Sequence, residues 1–189
     1  TYFVSITNTT IVDGETLSLD PESEIQFIQD PRRSKRTIEN LSENAVGSKT
    51  IAVIRISTLD ASPTSDAETM AYRLFSPDEI NLKTQYAACS FGKLQWELAP
   101  AGIVEVTVNQ TAAEFSTGAS LVAAAQEVLG REFNIQASEL ADKVLMCLPP
   151  GIGHGWIASS GVDYWRAQFN DEWCLSLTAG MHELGHTIG

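Results

Sequence analysis

Five of the six residues in Ile51-Ala52-Val53-Ile54-Arg55-Ile56 are apolar, and they do not alternate with polar ones. A strand with one wet face alternates, so this run predicts a strand covered on both faces. Val144 to Leu148 predicts a second one, stopped by Pro149-Pro150-Gly151. Leu94, Trp96 and Leu98 alternate with Gln95 and Glu97, and Val104, Val106 and Val108 with Glu105 and Thr107. That pattern predicts two half-buried strands. Asp66 to Phe75 is a candidate helix. Leu121, Val122, Ala125, Val128, Leu129 and Phe133 recur at helical spacing and form the clearest amphipathic face in the chain. Gly155 to Ser159 is a short candidate strand after a glycine-rich loop. Strands alternating with helices indicate an α/β (α+β) fold, a twisted mixed sheet with helices packed on it. A length of 189 residues accommodates one well-buried domain and a small appendage.

Residues 1–48 read differently. Asp13-Gly14 offers a tight turn, because this pair readily takes positive φ, and Glu24 to Gln29 alternates imperfectly as a short strand. Pro31-Arg32-Arg33-Ser34-Lys35-Arg36 is a basic run in a chain of net charge -12. Such a run is ordinarily a solvated loop, but Arg33 to Arg36 also fits the Arg-x-Lys-Arg form cut by subtilisin-like processing proteases. Residues 1–48 are therefore a candidate pro-segment and junction, and 49–189 the candidate catalytic domain. No Met or signal core opens the chain, and it stops three residues after a motif histidine. It is expected to be an internal piece of something longer.

The last segment carries the chemistry. Leu175, Met181, Leu184 and Ile188 give an apolar helical face, and Asp171 and Glu172 are placed to cap or favour its N-terminus. Positions four apart share a helix face, so His182 and His186 present two imidazoles to one point, as a tetrahedral zinc ion requires. Glu183 is rotated too far to be a ligand and is the candidate general base. Zinc acidifies a bound water and polarises the scissile carbonyl, while a carboxylate takes the proton and returns it to the leaving amine. Gly189, three residues after His186, allows a left-handed helix end that turns the chain back toward the ion.

His-Glu-x-x-His arises by chance in on the order of one chain in a hundred or fewer. The bland alternative is a helix whose histidines are solvated or satisfied in the core. Two of the chain's three histidines at ligand spacing, with a Glu between them, favour the metal. The third, His154, sits in Gly151-Ile152-Gly153-His154-Gly155 and reads as polar loop surface. Catalytic zinc takes three protein ligands and an open position. The third ligand is expected beyond residue 189, and these residues alone are expected to bind zinc weakly or not at all and to hydrolyse nothing.

His182-Glu183-Leu184-Gly185-His186-Thr187-Ile188-Gly189 resembles the start of the metzincin signature. Gln85 to Leu94, Met146 to Gly151, Gly155 to Ala158 and Asn170 to Cys174 extend the resemblance, over roughly residues 50–189, to the gametolysin family of zinc metallopeptidases. The resemblance implies a metzincin-like N-terminal subdomain ending in an active-site helix, and a secreted or cell-wall-directed endopeptidase made as a precursor. It implies Zn2+ on His182 and His186, Glu183 as base, and a third histidine and a methionine turn that these residues do not include. Some family members carry Gln at the first ligand position; here it is His182. Some metzincins are held inactive by a thiol in the pro-segment, but residues 1–48 contain no Cys. In related enzymes the substrate lies extended along a sheet edge, and Gly155 to Ser159 is the candidate for that edge, with Trp156 as core in the bland alternative.

The acidic balance disfavours nucleic acid and anionic membrane surfaces, and no apolar run approaches a membrane span. The resemblance implies protein or peptide substrates, including cell-wall or extracellular-matrix glycoproteins. Sequons at Asn8, Asn40 and Asn109 tilt toward secretion, while Cys89, Cys147 and Cys174 leave the pairing open and one thiol over. Two rivals stand beside the peptidase: a catalytically dead, secreted binding module with a peptidase fold, and a non-metzincin hydrolase with a later Glu ligand. Oligomeric state is not legible.

Overall fold

The computed structural model describes residues 45–189 except Asp78 and His154, and the backbone of four short strands before them. The chain divides into two units, Thr1–Asn40 and Leu41–Gly189. In the first, β1 (Tyr2–Ile6) pairs antiparallel with β4 (Ile25–Gln29), and β2 (Thr9–Val12) pairs likewise with β3 (Thr16–Leu19). The strand expected near Glu24 to Gln29 is β4. The Asp13-Gly14 turn, the basic run 31–36 and the Asn8 and Asn40 sequons lie outside the described residues.

The second unit runs β5 (Gly47–Ser57), α1 (Ala67–Phe75), α2 (Leu82–Cys89), β6 (Leu94–Thr107), α3 (Gly118–Val128), β7 (Lys143–Leu148), β8 (Ala158–Ser160), β9 (Arg166–Asn170) and α4 (Leu177–Thr187). The boundary drawn after residue 48 falls just inside β5. One five-stranded sheet has the order β6-β5-β7-β9-β8, parallel except for β8, which runs antiparallel to β9. The fold is mixed α/β, as the alternating pattern predicts.

The non-alternating runs are the central strands, and their successive side chains serve two cores. Ile51 and Val53 of β5 join Leu145 and Cys147 of β7 beneath α1, α2 and α4. Ala52, Ile54 and Ile56 join Val144, Met146 and Leu148 beneath α3. All of these residues are fully buried. Covering both faces removes any need for a polar partner position, which is why the pattern of period two disappears from the sequence. Arg55 interrupts the run because its guanidinium is used: it donates to the Ser65 and Pro63 carbonyls at 2.9 Å and pairs with Glu105 at 2.8 Å.

Each helix starts where a side chain accepts an early backbone N–H. Asp66 caps α1, Asn81 and Thr84 form a reciprocal box at α2, and Thr117 and Ser120 do the same at α3. Three expectations need correction. The two half-buried strands around Leu94 and Val104 are one strand, β6, because Pro100 to Gly102 bulge without breaking the pairing: Ile51 faces Leu98 while Val53 already faces Ile103. The amphipathic face of α3 stops at Leu129. Beyond it the chain widens into a π-turn over Leu129–Phe133, and Phe133 is exposed instead of buried. The strand sought at Gly155 to Ser159 is β8, shifted to Ala158–Ser160 and lying at the sheet edge. Trp156 is not part of it. Its ring packs on the α3-side core, so tightly against Gly118 that a Cβ there would lie 2.7 Å from a ring carbon.

Candidate metal centre

Helix α4 is seated by its buried face. Leu184 is fully buried in the core shared with α1 and α2. Gly180 lets Leu82 of α2 approach so closely that a Cβ would lie 3.1 Å from its methyl. The Tyr86 hydroxyl donates to the Met181 carbonyl at 2.8 Å, and burial pushes that phenol well above its ordinary range. The N-terminus does not use the acidic residues expected there. Ser176 caps the helix, its hydroxyl accepting from the Ala179 N–H. Asp171 lies one turn earlier, in the 3-10 stretch Asp171–Leu175, and its carboxylate accepts instead from the Thr64 N–H and hydroxyl at 2.8 and 2.9 Å. That short turn makes Leu175 part of the approach to the helix. A disulfide, Cys147–Cys174, joins the turn to the end of β7, leaving Cys89 as the free and exposed thiol.

The C-terminal end of α4 is held at three points. The Asp163 N–H donates to the His186 carbonyl at 2.9 Å, the Thr187 hydroxyl to the Leu184 carbonyl at 2.7 Å, and the Lys143 ammonium to the Thr187 carbonyl at 2.6 Å. Asp163 and Lys143 thus add partners from other segments to the last carbonyls, of which His186 also accepts from the Gly189 N–H at 3.4 Å. Burial lowers the Lys143 pKa, opposed by the nearby charges of Asp163 and Asp142. Gly189 has φ of +102°, the left-handed conformation that a glycine at this place allows.

On this frame His182 is exposed and His186 half-buried. Their Nε2 atoms stand 3.1 Å apart, with the rings nearly perpendicular. Two nitrogens bound to one tetrahedral zinc at about 2.0–2.1 Å lie about 3.3–3.4 Å from each other. The pair therefore fits the ion with an adjustment of a few tenths of an ångström, although the same distance also suits a direct hydrogen bond between neutral imidazoles. Glu183 is 9% exposed, and its carboxylate makes no hydrogen bond or ion pair with the described residues. Its oxygens are not among the side-chain atoms sealed from solvent without a partner. Among the described residues no third His, Cys, Asp or Glu joins the two histidines. His154 lies outside the described residues.

The spacing of four brings His182 and His186 face to face, while the residues that hold their helix lie on other segments. Ser176 could have been found as a cap three residues before Ala179. Lys143, a charge opening an otherwise apolar strand, was the other available signal. Nothing local marks Tyr86 or Asp163. Compared with family models, with curated proteins and with solved structures, the chain matches none of them.

Proposed function

We propose that the chain carries the zinc-binding helix of a metal-dependent endopeptidase of the gametolysin kind, within the metzincins. The observation that carries this reading is the convergence of the His182 and His186 Nε2 atoms at 3.1 Å. His182 and His186 would hold Zn2+, with a third imidazole completing the site from outside the described residues. When bound, the ion supplies Lewis-acid polarisation of the scissile carbonyl and an acidified water. Glu183 takes and returns the proton, from a position covered by protein and free of competing partners. Peptide substrate would lie along β8, which pairs with β9 on one side only among the described residues, adding a strand through main-chain hydrogen bonds.

The test is a zinc titration of the chain followed by its histidine NMR signals. Zinc is expected to shift the His182 and His186 imidazoles together, weakly, as suits two ligands. Alanine at either position should weaken binding by about tenfold or more. Imidazoles left unmoved by millimolar zinc in a protein that also supplies the third ligand would remove the proposal and leave the histidines as a hydrogen-bonded pair.

The same reading places the protein outside the cell or in its wall. Two features support that placement: the Cys147–Cys174 disulfide, which persists in oxidising compartments, and an exposed sequon at Asn109 in the turn after β6. No helix among the described residues is long and apolar enough to cross a membrane. Passed through a eukaryotic secretory pathway, the protein is expected to carry an N-glycan at Asn109. Peptide mass mapping reads this directly, and an unmodified Asn109 peptide in the secreted protein would count against the placement.

A further inference from the structure

Lys143 is the single buried basic residue among the described residues, at 7% exposure. Burying an ammonium is costly unless its donors are used. Here they are spent on two carbonyls from different segments: Thr187 at the end of α4, at 2.6 Å, and Tyr164 between β8 and β9, at 3.1 Å. The donor comes from the first residue of β7, a central strand whose next five residues are all fully buried. Its base is fixed too, since neighbouring Asp142 accepts from the Thr50 N–H and hydroxyl of β5 at 2.7 and 2.8 Å.

The segment at the far end of this contact is itself braced. Tyr164 and Trp165 lie under the Arg166 guanidinium, the Trp165 carbonyl accepts from Val144, and the Asp163 N–H reaches back to His186. The carbonyls of His186 and Thr187, consecutive residues, are thus both held from outside the helix. A helix end frays when its last carbonyls lack partners, and a cation there also complements the helix dipole. His186 lies in this last turn, and a ligand that frays with it must be ordered each time a metal binds.

We propose that Lys143 is the positioning residue of the metal site, tying the last turn of α4, and with it His186, to the sheet and to the Gly161–Trp165 segment. This rests on the zinc reading of the histidine pair. Removing the ammonium should then weaken metal binding through the geometry of His186, without touching a ligand.

The experiment is a Zn2+ titration of the whole chain, read at the two imidazoles, for wild type, His186→Ala, Lys143→Met, Lys143→Arg and Leu121→Ala. Lys143→Met is expected to raise the Kd about tenfold, within the range seen when groups behind metal ligands are removed. Lys143→Arg should recover most of that loss. Leu121→Ala, fully buried in the core beneath α3 and away from the clamp, should lower stability while leaving the Kd within about twofold. In the metal-free chain, Lys143→Met should speed amide hydrogen exchange in the last turn of α4 and in Gly161–Trp165 before the rest of the helix. If Lys143→Met does not fold, Lys143→Gln, one bond too short to reach both carbonyls, makes the same comparison. A wild type that titrates like His186→Ala overturns the zinc reading and the clamp with it. A wild type that binds through both histidines, with Lys143→Met binding equally well, overturns the clamp alone. So does Leu121→Ala weakening zinc as much as Lys143→Met, which would make the effect one of general stability.

Discussion

If the proposed peptidase reading holds, replacing Glu183 with Gln in a protein that also supplies the third ligand is expected to lower kcat by about 10²–10⁴-fold, the range of general acid–base catalysis, and to leave zinc affinity near wild type. The side chain is covered by protein to all but 9% of its surface, and among the described residues its carboxylate has no partner. Its oxygens still reach water, so the ionised group is not stranded in the core. Gln has nearly the same shape and no charge, so the variant should be about as stable as wild type. The comparison therefore separates three quantities. Stability and zinc binding should hold, KM should change little, and the loss should fall on kcat, as for a group whose interaction is made in the transition state. Unchanged turnover in the Glu183→Gln variant would remove Glu183 as the base. Lost zinc would instead make it a ligand, against its place one residue around the helix from His182.

How much of this was legible in the sequence depended on how local the cause was. Central strands announced themselves because burial on two faces leaves no polar position to fill, as in Ile51 to Ile54 and Val144 to Leu148. Helix starts were less legible. Asp171 and Glu172 looked like caps by residue type, but the carboxylate of Asp171 satisfies Thr64, more than a hundred residues earlier in the chain. A propensity scale cannot see that competition. β6 reads as two strands because its alternation lapses over Pro100 to Gly102, where the chain bulges while β5 keeps pairing on either side. The fate of Phe133 has a similar origin: the α3 helix widens at Leu129, so a phase extrapolated by 3.6 residues per turn points the ring to the wrong side. The histidine spacing was legible because it depends on the helix alone. Lys143, Tyr86 and Asp163, which hold that helix, come from three other segments, and their pairing with it is a property of the fold.

Removing both Cys147 and Cys174 is expected to cost about 3.5 kcal/mol, the chain entropy released by opening a loop of this length. The two residues are 27 apart in sequence and their Cα atoms 5.5 Å apart, bridging the end of a central strand and the turn that leads into α4. In a domain of this size the loss corresponds to a fall in Tm of about 10 °C. It should appear equally when the wild type is reduced, and the double alanine variant should be indifferent to reductant. Cys89→Ser, at an exposed position, should shift stability by no more than about 0.5 kcal/mol. The disulfide fastens the start of α4, while Lys143, Asp163 and Tyr86 fasten its later turns. Folded double variant should therefore keep its zinc affinity within about twofold, where Lys143→Met does not. A wild type whose stability ignores reductant would deny the bridge, and a double variant that loses zinc in proportion to stability would deny that the two ends of the helix are held independently. If both expectations hold, the costs divide along the helix. Its N-terminal attachment sets how long the fold survives, and its C-terminal attachment sets how well the metal is held. Total stabilities are about 5–15 kcal/mol, so a bridge of this size is a large share of what keeps such a domain folded.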